Sequence, residues 1–407
     1  MVEERAGVLE GDTVRAAWEP SGTRPSLVYL VTEDWYFLSH RLPMACAAQR
    51  AGYDVHVATH VSKGTREIEA LGFHLHPLEW RRGSMNPADL ISIVRQVRAL
   101  YRSLRPDLVH HVALQPAVIG SLAATGLSLV RVNALAGLGF SFTSRSLKAM
   151  LIRPVLTKLL RRLLDDPQGA VLVQNPDDRA AVQALGISPH KIFVVQGSGV
   201  DIGKFAPLPE PKGPVTVGFV GRLLDDKGVG TLIEAHDILR ARGENIQLLI
   251  AGDRDPANPA SIAVDTLDRW KEKPGVAFAG HVSDIHRIWA ASHIAVLPSR
   301  REGLPKSLLE AAACGRPIVA TDVPGCREIA RSGINALLVP PDDPAALAEA
   351  ILTLANDPGM RMRFGVAGRK LVEEEFSSER IGQATVALYD TLLGPKTRLL
   401  PAAAGGG

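Results

Sequence analysis

With 407 residues, 46% hydrophobic and 22% charged, the chain has the length for about two to three domains and can bury sizeable cores. Its 37 Gly and 28 Pro are scattered without period, which excludes collagen-like sequence and long low-complexity linkers. The 46 Lys and Arg against 43 Asp and Glu leave only +3, too little for affinity built on neutralising nucleic-acid phosphates, so no nucleic-acid partner is expected.

Residues 1–25, MVEERAGVLEGDTVRAAWEPSGTRP, carry no apolar core of the signal-peptide kind and read as a flexible segment. No later apolar run approaches the ~18 residues of a spanning helix. The chain is therefore expected to be cytoplasmic, or to meet a membrane only from the side. From residue 26 on, short runs rich in Val, Ile and Leu alternate with helical patterns. Strands are predicted at Ser26–Thr32, Asp54–Thr59, Phe73–Pro77, Leu108–Val112, Val130–Leu135, Ala170–Gln174 and Ile192–Val195. Continuous rather than alternating apolar runs indicate strands buried on both faces, hence parallel sheets covered by helices. One covering helix is predicted over Asp89–Leu104, with apolar residues at 90, 93, 94, 97, 100 and 104 forming a stripe and Arg95, Arg98 and Arg102 left outside it.

Residues 140–164 hold Arg145, Lys148, Arg153, Lys158, Arg161 and Arg162 among ten Leu, Ile, Val and Met, with no acid. That is the composition of an interfacial helix drawn to anionic lipid, and equally of a core helix with a solvated basic face. Residues 1–200 hold 22 basic and 17 acidic side chains, and residues 201–407 hold 24 and 26, so the first half is the basic one. Between the halves, Pro207, Pro209, Pro211 and Pro214 mark residues 200–214 as a stiff linker.

The second half repeats the pattern: PVTVGFVG, IQLLIAG, VAFAG, HIAVLP, RPIVAT and NALLVP read as six strands. The expected fold is α/β, two doubly wound Rossmann-like domains over 26–199 and 215–375, followed by a helical segment over 376–393 and a disordered tail over 394–407. Such sheets bind ligands at the carboxyl ends of their strands, so two that face each other share one deep cleft. Cys46, Cys314 and Cys326 are too far apart for a disulfide scaffold or a zinc spacing, which fits a reducing compartment.

Leu297–Glu310, LPSRREGLPKSLLE, carries the most chemistry. A strand runs into a loop with Glu302, then into a helix that projects Glu310 about a turn and a half further on. Free backbone N–H groups and the helix dipole favour a phosphate there. Two carboxylates beside a phosphate seat suit the hydroxyls of two sugars, which points to a nucleotide-sugar with ribose on one side and a transferred hexose on the other. In Val217–Gly230, VGFVGRLLDDKGVG, Arg222 and Lys227 follow the first strand of the second half. Two cations at that position suit a pyrophosphate and the charge it gains on departure. The bland reading pairs them with Asp225 and Asp226 on the surface.

Together, the strand-Gly-Arg-x4-Lys-Gly and Glu-Gly-Leu-Pro-x4-Glu-Ala elements resemble the retaining glycosyltransferases of family 4, which have the GT-B fold. TEDWYFLSHRLPMACAAQRAGYDVHVAT, LVHHVALQPAVIGSLAA, NALAGLGF, VQNPDDRAAV and GSGVDIGKF resemble the branch that builds bacterial surface glycans on a polyprenyl carrier. The resemblance implies that Arg222 and Lys227 bind the donor diphosphate, Glu310 the ribose and Glu302 the donor sugar, with Gly303 and Leu304 at the same seat. It also implies retention of anomeric configuration, no metal and no cofactor beyond the nucleotide-sugar co-substrate, expected to be a UDP-sugar. The acceptor would be a lipid-linked saccharide, giving segment 140–164 a membrane surface to meet and the protein a peripheral place on the inner face. The last helix, around Glu379–Leu392, would pack back across both domains.

His110 and His111 end a predicted strand, so alternation sends one into the cleft and the other into the protein. Which is which stays open, and His111 is taken as the candidate catalytic residue. Val112 and Gln115 stand where relatives often carry His and Lys. Asp253 and Asp255 read as a polar loop rather than a metal site, Gly137–Gly139 as a loop approaching the cleft, and Glu328 as a charge at a helix N-terminus. A nucleotide-sugar epimerase and a non-catalytic scaffold of a glycan-assembly complex remain as alternatives.

Overall fold

A computed structural model describes residues 24–81, 84, 86–135, 157–256 and 258–394. The tail beyond 394, Gly137–Gly139 and most of segment 140–164 lie outside these. The first half forms a seven-stranded sheet from β1 (Ser26–Glu33), β2 (Asp54–His60), β3 (His74–Pro77), β4 (Leu108–Val112), β5 (Val130–Ala134), β6 (Gly169–Val173) and β7 (Ile192–Val194), in the order β3-β2-β1-β4-β5-β6-β7. β8 (Thr216–Val220), β9 (Gln247–Ala251), β10 (Val276–Gly280), β11 (Ile294–Leu297), β12 (Ile318–Thr321) and β13 (Ala336–Val339) form the second, in the order β10-β9-β8-β11-β12-β13. Every pairing is parallel.

Both orders reverse at the first strand of their sheet, which opens a crevice between β1 and β4 and another between β8 and β11. The sequence explains the double cover. In β1, Leu27, Tyr29 and Val31 belong to one apolar cluster, while Val28 and Leu30 belong to another on the opposite face. A strand buried on both faces has no polar side, hence its unbroken apolar run.

The helix Pro87–Leu104 starts where Asn86 Oδ1 accepts the Ala88 N–H at 3.0 Å and Pro87 fills the first turn. Its buried face is Ile93, Val97 and Tyr101. Arg98 does not stand outside as predicted. Its Nη1 donates to the carbonyls of Ala123 and Thr125 at 2.8 and 2.7 Å, serving the open C-terminal end of the helix Leu114–Ala124.

Residues 200–214 are not free-standing. Phe205 is buried in the second core, the Leu208 N–H bonds the Cys314 carbonyl at 3.1 Å, and Arg316 Nη2 bonds the Pro209 carbonyl at 2.7 Å. The chain returns to the first half through the Val200–Phe376 and Ser378–Val200 backbone bonds, 2.9 Å each. The last helix, Ser378–Leu393, packs on the helix Leu42–Arg50 of the first domain. Tyr389 Oη lies 2.9 Å from Tyr29 Oη and 2.5 Å from His110 Nδ1, and Tyr53 Oη donates to Asp390 Oδ1 at 2.8 Å.

Candidate active site

The crevice of the second sheet collects its polar groups from the ends of β8 and β11. After β8 comes Arg222, 45% exposed, whose Nη1 lies 2.8 Å from Asp255 Oδ2. Asp255 follows β9, so the Asp253–Asp255 loop supplies a partner to Arg222; among the described residues no group of three or more His, Cys, Asp or Glu is placed to hold a metal ion. A 3₁₀ turn, Asp225–Lys227, then ends on Gly228 at φ +71°. A Cβ at Gly228 would run into the Pro298 carbonyl, so only glycine lets this turn lie against the end of β11. The turn points Lys227 at the neighbouring loop, where its Nζ stands 2.5 Å from Glu302 Oε1. Neither cation pairs with Asp225 or Asp226: Asp226 takes Arg301 instead.

Ser299 fixes the loop after β11. Its Oγ donates to the Asp226 and Arg301 carbonyls at 2.9 and 3.0 Å, while Thr321 Oγ1 donates to the Ser299 carbonyl. Glu302 follows with a side chain only 8% exposed. Gly325, in the helix Pro324–Ile329, lies flat beneath: a Cβ there would stand 2.5 Å from the carbonyls of Glu302 and Gly303. Leu304 packs over Gly197 of the first domain. Pro305 then leads into the helix Lys306–Ala313, which carries Glu310. Burial pushes the Glu310 carboxyl above its ordinary range, and Lys306, with Nζ 3.6 Å from Glu310 Oε1, works against that rise.

The sequence reading missed Lys306. A cation in the first turn of a helix is disfavoured by the dipole unless another group compensates it, and that anomaly was the available signal. Lys306 Nζ also donates to the Ser39 carbonyl at 2.9 Å, crossing from the second domain to the first. Next to Ser39, His40 stacks on Tyr36 with ring centroids 4.3 Å apart. Burial, with the Lys306, Arg41 and Arg222 charges, holds His40 down to about 3, so it is neutral at working pH. Glu328 falls in the last turn of the Pro324–Ile329 helix rather than at its N-terminus, and accepts from Gln196 Nε2 of the first domain at 3.3 Å.

A cavity of about 440 Å³ opens at the carboxyl ends of β9 and β10, lined by Leu223, Asp253, Arg254, Phe278 and Gly280 among others. It adjoins the Arg222 turn.

His111 is not brought to the cleft. Its ring is fully buried on top of Gly120, with Nε2 3.0 Å from Tyr101 Oη and Nδ1 2.8 Å from Asn133 Oδ1. His110 is equally buried, stacked on Tyr29 and bonded to Tyr389. The expectation that one of the two reaches a ligand is therefore corrected: they do point to opposite faces, but helices cover both. Burial lowers His110 well below its ordinary value and His111 to about 4.

A histidine shifted down binds fewer protons folded than unfolded between the two pKa values. Its stabilising contribution is complete above about pH 6.5 and is lost as pH falls toward the folded value. For His111 alone this amounts to about 2 kcal/mol at pH 5. The melting temperature should fall by roughly 5 °C or more between pH 7 and pH 5 in a calorimetric scan; a flat profile over that range contradicts the buried neutral histidines.

Two doubly wound sheets, with cations and carboxylates gathered at the carboxyl ends of β8 and β11, make up the GT-B architecture. Residues 214–357 match the family described as glycosyl transferases group 1, and residues 26–166 match the family described as glycosyl transferase 4-like. The chain belongs to the family 4 type of glycosyltransferase. It is 26% identical over 382 residues to the N,N'-diacetylbacillosaminyl-diphospho-undecaprenol alpha-1,3-N-acetylgalactosaminyltransferase of Campylobacter jejuni, covering 88% of this chain and 98% of that protein. It is 25% identical over 356 residues to the capsular polysaccharide biosynthesis glycosyltransferase CapM of Staphylococcus aureus, covering 85% and 92%. In fold it is similar to Anabaena HepE in complex with UDP-glucose, with a TM-score of 0.74, 18% identity and coverage of 90% and 99%.

Proposed function

We propose that this glycosyltransferase moves a hexose-type sugar, with retention and without a metal, from a UDP-sugar to a polyprenyl-diphosphate-linked saccharide during bacterial surface-glycan assembly. The observation that carries the reading is the Lys227–Glu302 pair, 2.5 Å apart, at the crevice between β8 and β11. A diphosphate entering that crevice would compete for Lys227 and release Glu302 to accept hydrogen bonds from the donor sugar. Arg222 and Lys227 would then face the charge that grows on the departing nucleoside diphosphate. Glu310, one helix turn beyond Lys306, would accept from the ribose. The cavity beside Arg222 has room for a base.

In the transfer, the bond between the anomeric carbon and the β-phosphate oxygen breaks. The acceptor hydroxyl oxygen bonds that carbon from the same face, and its proton passes to the leaving diphosphate. Closing the first domain over the donor excludes water that would otherwise hydrolyse it.

The Campylobacter relative's name supplies the diphospho-undecaprenol acceptor and the HepE complex supplies UDP. The basic segment 140–164 would meet the membrane on the cytoplasmic side. Where it is described, over 157–164, Leu160, Leu163 and Leu164 are buried while Lys158, Arg161 and Arg162 are exposed. Among the described residues no helix is long and apolar enough to cross a membrane.

A thermal-shift and hydrolysis screen against UDP-, GDP-, ADP- and dTDP-sugars, with EDTA or a divalent metal, tests the donor. Stabilisation by the UDP class, equal in EDTA, is expected. A shift confined to another base or dependent on metal overturns that part of the reading, and a changed sugar nucleotide formed from donor alone identifies an epimerase.

A further inference from the structure

Asn175 follows β6 and caps the helix Pro176–Ala184, its Oδ1 accepting the Asp178 N–H at 2.7 Å. A serine would serve that capping role equally well. What serine lacks is the amide nitrogen. In this chain Asn175 Nδ2 donates to Asp178 Oδ2 at 3.1 Å and, across the cleft, to the Gly303 carbonyl at 2.9 Å. Asn175 is fully buried, so a donor aimed there has no water to replace a lost partner.

Gly303 sits between the two loop residues that matter most, Glu302 and Leu304. The second domain holds that loop from below through Gly325, whose missing side chain leaves room for the Glu302 and Gly303 carbonyls. The first domain holds it from above through Asn175 on the Gly303 carbonyl and Gly197 against Leu304. Three other contacts cross the cleft nearby: Lys306 to the Ser39 carbonyl, Gln196 to Glu328, and the Arg327–Asp177 ion pair at 3.8 Å. In all three, a second-domain side chain is the group held, and a side chain can swing away alone. Asn175 holds the backbone that carries Glu302, one peptide from the carboxylate's own Cα.

We propose that Asn175 is a positioning residue that couples docking of the first domain to the pose of Glu302 through the Gly303 carbonyl. The proposal rests on the reading of the crevice as the donor-sugar site. Asn175 acts through the loop and not on the sugar. When the first domain swings away, the Gly303 carbonyl loses its donor and the Glu302–Leu304 loop relaxes. When it docks, the loop returns to one orientation. The first domain thereby sets the sugar side of the donor site as well as enclosing it.

The test compares the full chain with Asn175→Ser, which keeps the cap but cannot reach Gly303, and Asn175→Ala, which loses both. Hydrogen exchange of the ligand-free chains, melting temperature, calorimetric titration with UDP, and steady-state turnover of UDP-glucose and UDP-N-acetylglucosamine are measured. In Asn175→Ser, the Glu302–Leu304 amides should exchange about fivefold faster while the Pro176–Ala184 helix stays protected and the melting temperature falls by no more than a few degrees. UDP affinity should hold within about twofold, and kcat should fall about tenfold with little change in KM. Asn175→Ala should add faster exchange at Asp178.

Loop exchange and kcat both at parental levels in Asn175→Ser overturn the proposal. So does a general loss of protection with an unchanged kcat per folded molecule, which would mark a purely structural residue. If the parent itself binds no UDP and turns over neither sugar nucleotide, the donor reading fails instead, and the exchange data still report whether the bond holds the loop.

Discussion

Lys227→Met should lower turnover about 10³-fold and weaken UDP binding, with the melting temperature within a few degrees of the parent. The 3₁₀ turn Asp225–Lys227 and Gly228 aim this one ammonium at the end of β11, where it is the cation closest to Glu302. A fixed cation facing a departing diphosphate contributes far more to the transition state than to the bound donor, and losses of 10² to 10⁵ are typical for such groups. The cost to the fold is local: Lys227 packs no core, and its loss leaves the Glu302 carboxylate, 8% exposed, without its ion pair. Steady-state kinetics with a calorimetric UDP titration check it; turnover near the parental value removes Lys227 from the mechanism. Since Lys227 and Glu302 contact each other, the double variant Lys227→Met with Glu302→Gln should cost less than the product of the single losses.

Glu302→Gln carries the second large effect, and it should look different. On the proposed reading the carboxylate meets the donor sugar, so kcat should fall about 10²-fold while UDP affinity is held or slightly improved, because Lys227 loses its ionic partner and is left to the diphosphate. A parallel loss of UDP affinity would place Glu302 on the phosphate side instead. The two variants together assign the ends of the donor: one loses both binding and turnover, the other turnover alone.

The parts of the fold legible in the sequence were those written locally. Parallel strands covered on both sides must be apolar throughout, so RPIVAT became β12 and HIAVLP became β11 without help from any distant residue. The grouping of the candidate site's residues in the second domain was legible for the same reason. Arg222 and Lys227 lie on one turn and Glu302 and Glu310 on one loop and helix, and the switch point brings the two segments together.

What the sequence hid were the contacts between distant segments. Asn175 reads as a helix cap, and nothing in NPDD shows that its other end reaches Gly303, 128 positions away. Lys306 meets Ser39 across 267 positions. The histidine pair failed for a further reason. Alternation gave the two faces of β4 correctly, but in a sheet covered on both sides neither face is the cleft, which opens at the strand ends. Arg98 failed in a similar way: a stripe on a helix says where a side chain starts, not where its guanidinium ends.

The measurement that bears most directly on the central claim is transfer itself. Labelled UDP-hexoses are incubated in EDTA with the purified chain and a polyprenyl-diphosphate-linked saccharide fraction, and label is counted in the organic phase. The account predicts enzyme-dependent label in the lipid fraction, an axial anomeric linkage retained from an axial donor, and loss of the signal in Lys227→Met. Label that stays water-soluble with every UDP-hexose, or an inverted linkage in the product, would contradict it.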